Sequence, residues 1–165
     1  MRSRRRNCWK SNRLSHRRAR MPPLTRQELD TFLREGKYVA KLATVKPDGA
    51  PYVNPVWYEY DGTHLYVIAR ARSQFLQHIR EDPRVALCID TPTPPYTRVL
   101  IEGIAEIIEQ DWVEMGKRMA LRYRGEEGLA YIEATRNRPR AMIRITPHHI
   151  TSWKGGEWHR RYIDA

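Results

Sequence analysis

Apolar residues between positions 38 and 109 fall into short stretches that are rich in β-branched and aromatic side chains and separated by turn residues. This is the pattern of consecutive β-strands. Pro47 and Gly49 mark one turn, and the pair Asp61-Gly62 is a strong signal for a two-residue hairpin. The predicted strands span residues 38–45, 50–60, 64–70, 84–90 and 97–109.

Two further features shape the predicted sheet. Gly103 lies near the middle of the fifth strand, where it suits a sharp bend at a barrel corner. The C-terminal stretches 141–147, 149–153 and 158–163 are interpreted as strands, or as a strand followed by an extended tail. Five to seven antiparallel strands joined by hairpins favour a small barrel, so the predicted fold class is mainly β with inserted helices.

Helical spacing of apolar residues predicts a helix on each side of the first strands. The first helix begins at a capping box formed by Thr25 and Glu28 and ends at Gly36. The second follows Ser73, which we expect to cap it, and Phe75 begins its inward face. Leu76 and Ile79 complete that face.

Two more helical stretches follow the fifth strand. Asp111 and Glu114 form a second predicted capping box, and Trp112, Met115 and Met119 make an apolar stripe behind it. A weaker helical pattern covers residues 126–136. These helices are expected to lie at the periphery of the barrel.

The net charge of +11 belongs almost entirely to the first 20 residues. This tail holds eight arginines, one lysine and no acid, which leaves 21 basic against 19 acidic residues, or +2, for residues 21–165. We expect a disordered tail, because this composition cannot bury itself, and a single domain over residues 21–165. The tail could bind nucleic acid, serve as a targeting segment, or lie upstream of a true start at Met21. The last interpretation is favoured, and nucleic acid is an unlikely partner.

Several classes of function are excluded or disfavoured. No stretch approaches the roughly 18 apolar residues of a membrane helix, so no membrane partner is expected. Cys8 and Cys88 are too few for a disulfide framework, which favours a cytoplasmic protein. The dinucleotide fingerprint, the phosphate loop, the zinc-protease motif and the nucleophile elbow are all missing, and the histidines lack metal-ligand spacing. No metal site is predicted, and the catalytic residues stay unknown.

The junction "LYVIARARSQ" is the most informative stretch of the chain. It places Arg70, Arg72 and Ser73 where an apolar strand passes into a helix, and a helix N-terminus already attracts anions. If the strand stays extended through this point, both guanidinium groups project to the same face. The junction therefore predicts a phosphate site. The alternative is a solvated turn with a surface ion pair to Glu81 or Asp82.

The segment "KLATVKPDGAPYVNPVWYEYDGTHLYVIARARSQFLQHIREDPRVALCID" resembles the pyridoxamine 5′-phosphate oxidase-like split-barrel superfamily, and most closely its flavin- and deazaflavin-dependent reductases. The resemblance covers residues 28–110 well, and "IRITPHHITSWKGGEWHRRY" looks like the family's final strands. It implies a six-stranded antiparallel split β-barrel of Greek-key type with short peripheral helices. It also implies a homodimer that holds FMN or the deazaflavin coenzyme F-420 at its interface.

The resemblance also implies a set of cofactor-binding residues. The phosphate would contact the turn, and the ring would lie along the two neighbouring strands. The positions that match are Asn54, Pro55, Val56, Ala69, Arg70, Arg72, Ser73 and Gln74. One departure is Phe75, which stands where many relatives carry a basic residue. A homodimer is also expected apart from the resemblance, because Val53, Val56, Trp57 and Tyr58 offer apolar side chains to more than one face of the sheet.

Hydride transfer between the bound cofactor and an unidentified small organic substrate is the implied reaction, since such chemistry belongs to the cofactor. Tyr58 and His64 are weak candidates for a proton donor. The alternative is a non-catalytic split barrel that carries a flavin or haem without turnover.

Overall fold

The computed structural model describes residues 22–155, so the basic tail and the predicted strand 158–163 lie outside the described residues. Within residues 22–155 the chain forms seven strands and four helices. Their order is α1 (Arg26–Glu35), β1 (Ala40–Val45), β2 (Pro51–Val56), β3 (Glu59–Tyr60), β4 (Leu65–Arg70), α2 (Gln74–Glu81), β5 (Arg84–Asp90), β6 (Thr97–Ile108), α3 (Val113–Arg124), α4 (Glu126–Thr135) and β7 (Arg140–Lys154).

The strands form one antiparallel sheet in the order β2-β1-β5-β6-β7-β4-β3. The two edge strands, β2 and β3, are separated in sequence only by Trp57 and Tyr58. A flat sheet of this order would hold its edges about 29 Å apart, whereas the three Cα–Cα steps from Val56 to Glu59 reach at most about 11 Å. The sheet must therefore curl until its edges approach, and the predicted split barrel is confirmed.

The described residues form seven strands and not the expected six, because strand pairing divides one predicted strand and joins two others. The predicted strand 50–60 is two strands, because β2 pairs with β1 while β3 pairs with β4. The connection between β3 and β4 is the four-residue loop 61–64, so the predicted two-residue hairpin is wrong. Conversely, the predicted strands 141–147 and 149–153 are one strand, β7. A β-bulge accommodates Pro147 there: Pro147 opposes Gly103 and His149 opposes Glu102, which leaves His148 as the extra residue.

Inward-facing side chains of the curled sheet form the main core, and α1 and α2 close it. Leu33 of α1 and Leu76 of α2 are fully buried, and Phe75 of α2 is only 5% exposed. The strands contribute the fully buried residues Leu42, Leu65, Val67, Leu87, Ile89, Ile101, Ile143 and Ile145. The alternation of buried and exposed residues along β4 and β6 is what the sequence pattern predicts for strands with one face inside.

The two ends of α1 confirm the sequence prediction, but the start of α3 does not. Thr25 and Glu28 exchange the two hydrogen bonds of a capping box, and Gly36 is the C-cap. At α3 the N-cap is Trp112, with no capping side chain, because the Asp111 carboxylate accepts a hydrogen bond from the Val113 amide at 3.0 Å instead. The predicted box of Asp111 and Glu114 is therefore wrong.

Helices α3 and α4 form a hairpin that packs against the outside of β4. Trp112, Val113, Ala120 and Ile132 make a second small core against Ile68. The hairpin turns at Gly125, whose φ of 67° favours glycine. This hairpin supplies one wall of the cavity described below.

Most of the apolar side chains on which the homodimer prediction depends are buried within this chain. Val56 and Tyr58 are buried within the chain's own core, at 8% and 0% exposure, and Trp57 stacks on Tyr123 of α3. Only Val53 of this set, on the edge strand β2, remains largely exposed, at 59%. Within residues 22–155, no helix is long and apolar enough to cross a membrane.

Candidate functional site

A cavity of about 700 Å³ lies where β2 and β4 end, next to the start of α2. The α3–α4 hairpin and the first residue of β7 close its other side. The curled sheet brings these ends together although they are far apart in sequence. The cavity is therefore a product of the fold and not of any single segment.

One part of the cavity wall is apolar. Pro55 and Val56 line it from β2, Ile68 and Ala69 from β4, and Phe75 from α2. Because Phe75 is only 5% exposed, the position that departs from the family pattern contributes to the core and to this wall. A flat apolar ligand would find van der Waals partners here.

Trp57 extends this wall and is held in place by the helical hairpin. Its indole ring stacks on the ring of Tyr123, with ring centroids 5.0 Å apart and an angle of 2° between the planes. The Tyr123 hydroxyl in turn donates a hydrogen bond to the Tyr38 carbonyl at 3.0 Å. The hydrogen bond holds the Tyr123 ring, and the stack on that ring in turn holds Trp57 in the lining of the cavity.

Another part of the cavity lining is cationic. Arg70, Arg124 and Arg140 line it, together with the hydroxyl of Ser73, and Glu127 is the one acid in the lining formed by the described residues. Glu127 is 3.6 Å from Arg124 and is mostly exposed. The balance of charge in the cavity therefore favours an anionic group.

The β4–α2 junction differs from the extended geometry that the sequence suggested. Ala71 and Arg72 form a turn, in which the Ser73 amide donates to the Arg70 carbonyl at 2.8 Å. A hydrogen bond from the Ala71 amide to the carbonyl of Pro139, the residue before β7, holds the turn in place. Arg70 and Arg72 therefore do not follow strand alternation. Ser73 is the N-cap of α2, but its side chain makes no capping hydrogen bond, so its hydroxyl is not committed to the helix.

The predicted surface ion pair of these arginines is not found among residues 22–155. The Asp82 carboxylate binds Arg84, and Glu81 accepts a hydrogen bond from Gln77. Neither Arg70 nor Arg72 has an acidic partner in the described part of the chain. The solvated-turn alternative loses the contact that would have supported it.

The structure brings six of the eight predicted binding residues to the cavity: Asn54, Pro55, Val56, Ala69, Arg70 and Ser73. Arg72 and Gln74 do not line it, because the turn directs them to a neighbouring surface. Neither candidate proton donor lines it either. Tyr58 is fully buried, and burial raises the pKa of its hydroxyl. His64 lies 3.6 Å from Asp61 at the β3–β4 turn.

Sequence reasoning missed Arg140 and Tyr131. Arg140 stacks on Trp112, with its guanidinium carbon 4.7 Å from the ring centroid, and donates hydrogen bonds to the Tyr131 hydroxyl at 3.0 Å and to Thr135 at 3.2 Å. The hydrogen bond from Arg140 and the nearby charge of Arg70 lower the pKa of Tyr131. The signal was available in "RNRPRAM", which places arginines before an apolar strand.

The described residues contain no cluster of histidine, cysteine and carboxylate side chains that could hold a metal ion. The cavity thus combines an apolar wall, an aromatic ring and a group of arginines, with no nucleophile or metal centre among the described residues that line it. Such a site can bind and orient an anionic, largely flat molecule.

Residues 25–154 match the family described as pyridoxamine 5′-phosphate oxidase. The chain therefore belongs to this family, and the resemblance noted in the sequence is confirmed.

Solved structures agree with this assignment. A conserved hypothetical protein from Mycobacterium tuberculosis is 28% identical, with 83% of this chain and 88% of that chain covered at a TM-score of 0.67. An F420 reductase is 26% identical, with 73% of this chain and 94% of that chain covered at a TM-score of 0.60. The haem storage protein of Vibrio cholerae shares the fold at 17% identity, with 80% and 98% covered and a TM-score of 0.63. No curated protein matches the sequence.

Proposed function

We propose that the protein is an oxidoreductase that binds FMN or the deazaflavin coenzyme F-420 and transfers hydride between this cofactor and a small organic substrate. The observation that carries the proposal is the cavity at the β4–α2 turn, with a cationic end beside an apolar wall. Membership of the family and the 26% identity to an F420 reductase support it.

The donor set of the cavity fits such a cofactor. A phosphate needs charged and hydroxyl donors, which Arg70 and Ser73 present at the start of α2. Arg140 also lines the cavity and adds a second guanidinium group to the donor set. A flat tricyclic ring needs apolar contact, and the strand segment 54–56 with Ala69 supplies it.

In this proposal each group of residues has a separate task. Arg70 and Ser73 bind the phosphate, while Asn54, Pro55 and Val56 lie along the ring and Ala69 allows its close approach. The bound cofactor supplies hydride transfer, and the protein supplies binding, orientation and electrostatics. Phe75 excludes water from the wall where many relatives place a charge.

A haem-carrying module is the alternative, and the lining of the cavity argues against it. Haem iron is held by histidine, cysteine, methionine or tyrosine. Of these, only Tyr131 lines the cavity within the described residues, and its hydroxyl accepts a hydrogen bond from Arg140. The flavin-type cofactor is therefore the better fit.

We further propose that the protein is a homodimer with the cofactor at the interface. The edge strand β2 carries Val53, which is 59% exposed, and the same strand lines the cavity through Asn54 and Pro55. A second copy placed against β2 would cover Val53 and complete the cavity at the same time.

Titration of the purified protein with FMN, F-420 and haem, followed by absorbance, tests the proposal, because the three cofactors absorb differently. We expect saturable binding of FMN or F-420, followed by reoxidation of the reduced, bound cofactor by a small organic acceptor. Binding of haem alone would support the carrier alternative, and binding of none of the three would refute both.

A further inference from the structure

Arg122 of α3 is a largely buried arginine to which the proposed function assigns no task. Its side chain is only 10% exposed. Its guanidinium group donates hydrogen bonds to the Leu33 carbonyl at 2.8 Å and to the Gly36 carbonyl at 3.0 Å. The last carbonyl groups of a helix have no partner within the helix, so Arg122 satisfies the C-terminal end of α1 and joins it to α3.

The same guanidinium group contacts the link between the two edge strands of the sheet. It donates a longer hydrogen bond to the Tyr58 carbonyl at 3.4 Å, and its central carbon lies 4.9 Å from the centroid of the Tyr58 ring. It also lies 3.6 Å from the Glu59 carboxylate. Because Trp57 and Tyr58 are the whole of this link, Arg122 holds the residue that directly follows Trp57.

Tyr123, the next residue of α3, makes a parallel pair of contacts. Its ring stacks on Trp57, and its hydroxyl donates a hydrogen bond to the Tyr38 carbonyl. The guanidinium carbon of Arg122 lies 5.4 Å from the centroid of the Tyr123 ring, so these contacts also support each other. Two consecutive residues of α3 thus connect the segment 33–38 to both residues of the link, and we call this pair the α3 clamp.

We propose that Trp57 contacts the cofactor ring and that Arg122 is a positioning residue that acts through Trp57. Trp57 lines the cavity beside Pro55 and Val56, which the proposed function places along the ring, and an indole offers a large, rigid apolar surface to a flat aromatic ligand. Arg122 does not line the cavity, so it acts on the ring only through the residues that it holds. This inference rests on the proposed function and adds to it an aromatic contact and the clamp that maintains that contact.

Titration with riboflavin tests the ring contact, because riboflavin has the ring without the phosphate; the phosphate-free deazaflavin takes its place where F-420 is the cofactor that binds. Trp57→Leu should weaken binding by about three- to tenfold, the contribution of one aromatic pair. Arg122→Gln should weaken it by no more than Trp57→Leu does. Because Arg122 acts through Trp57, the double variant should bind no more weakly than Trp57→Leu alone.

Arg118→Gln is the matched control and should leave binding unchanged. Arg118 is an exposed arginine of the same helix that hydrogen-bonds Met115 and does not line the cavity. Loss of Arg122 also lowers stability, since it removes the ion pair of Glu59 and the hydrogen bonds to α1. All variants are therefore compared well below their melting temperatures, and Arg122→Lys, which keeps the charge, serves as a milder variant.

Near-ultraviolet circular dichroism reports the Trp57–Tyr123 stack without any ligand. The difference between the spectra of wild type and Trp57→Leu defines the signal of Trp57, and Arg122→Gln should reduce this signal while Arg118→Gln should not. An unchanged signal in Arg122→Gln, or losses of affinity that add up in the double variant, would refute positioning through Trp57.

The ring contact and the proposed function fail in distinguishable ways. Wild type that binds riboflavin as tightly as Trp57→Leu does would refute the ring contact and leave the proposed function standing. Wild type that binds neither flavin nor deazaflavin would refute the proposed function and the ring contact together, and the circular dichroism would still decide whether Arg122 positions Trp57.

Discussion

Replacement of Arg70 by alanine is the sharpest test of the proposed phosphate site. Arg70 is the last residue of β4 and lines the cationic end of the cavity. A hydrogen bond to a charged group contributes roughly 1.5–3 kcal/mol, which is about ten- to a hundredfold in affinity. Because the Arg70 side chain is exposed, we expect the lower end of this range, a loss of about tenfold in the affinity for FMN or F-420.

The fold should tolerate this change. Arg70 makes no ion pair within the described residues, and its removal relieves the like-charge pair with Arg140 across the β4–β7 ladder. The melting temperature of Arg70→Ala should therefore equal or exceed that of the wild type. A fall in affinity without a fall in stability identifies a lost ligand contact.

Fluorescence titration with FMN and with riboflavin provides the measurement, since riboflavin has the ring without the phosphate. Arg70→Ala should weaken FMN binding and leave riboflavin binding nearly unchanged, and Arg80→Ala should change neither. Arg72→Ala should affect FMN less than Arg70→Ala, because Arg72 does not line the cavity. An equal loss for FMN and riboflavin would indicate a damaged ring site, and no loss for either would refute the phosphate assignment.

Four other outcomes are expected. Deletion of residues 1–20 should change neither the melting temperature nor the cofactor affinity, and a melting temperature lower by several degrees would contradict this. Sedimentation at micromolar concentration with cofactor should show a dimer, and Val53→Asp should shift it towards monomer; a wild-type monomer would overturn the interface. The hydrogen bond from Lys154, with those of Thr25, lowers the pKa of Glu28 from 4.5 to about 2. Because the pKa of Glu28 is lowered in the folded protein, its carboxylate stabilises the fold fully above pH 4.5, and this stabilisation is lost as the pH falls towards 2. The urea midpoints of wild type and Glu28→Gln should therefore differ above pH 4.5 and converge as the pH falls towards 2. Leu87→Ala, in a fully buried position of β5, should lower the free energy of unfolding by about 2–5 kcal/mol, and a change of less than about 1 kcal/mol in a urea titration would contradict the core assignment.

Local signals determined the features that depend on neighbouring residues. The capping box of α1 needs only Thr25 and Glu28, three residues apart, and both hydrogen bonds are present. The inward face of α2 and the alternation along β4 follow from the helical and strand periods. The basic strand-to-helix junction from Arg70 to Ser73 was likewise predictable, because a strand end, basic residues and a helix start are all adjacent in the chain.

Only the tertiary structure decided how these elements pair and which residues meet across the sheet. The segment 50–60 is divided because its halves find different partners, β1 and β4, and no local period records that choice. A predicted capping box fails at α3 because the Asp111 carboxylate binds a nearer amide. Arg140 is opposite Arg70 through a register that joins residues 70 positions apart, so its place in the cavity lining arises from long-range pairing. The sequence alone could place one pair of arginines at a junction. Only the pairing of β4 with β7 placed Arg140 opposite Arg70, and only the curl of the sheet brought the end of β2 to the same cavity.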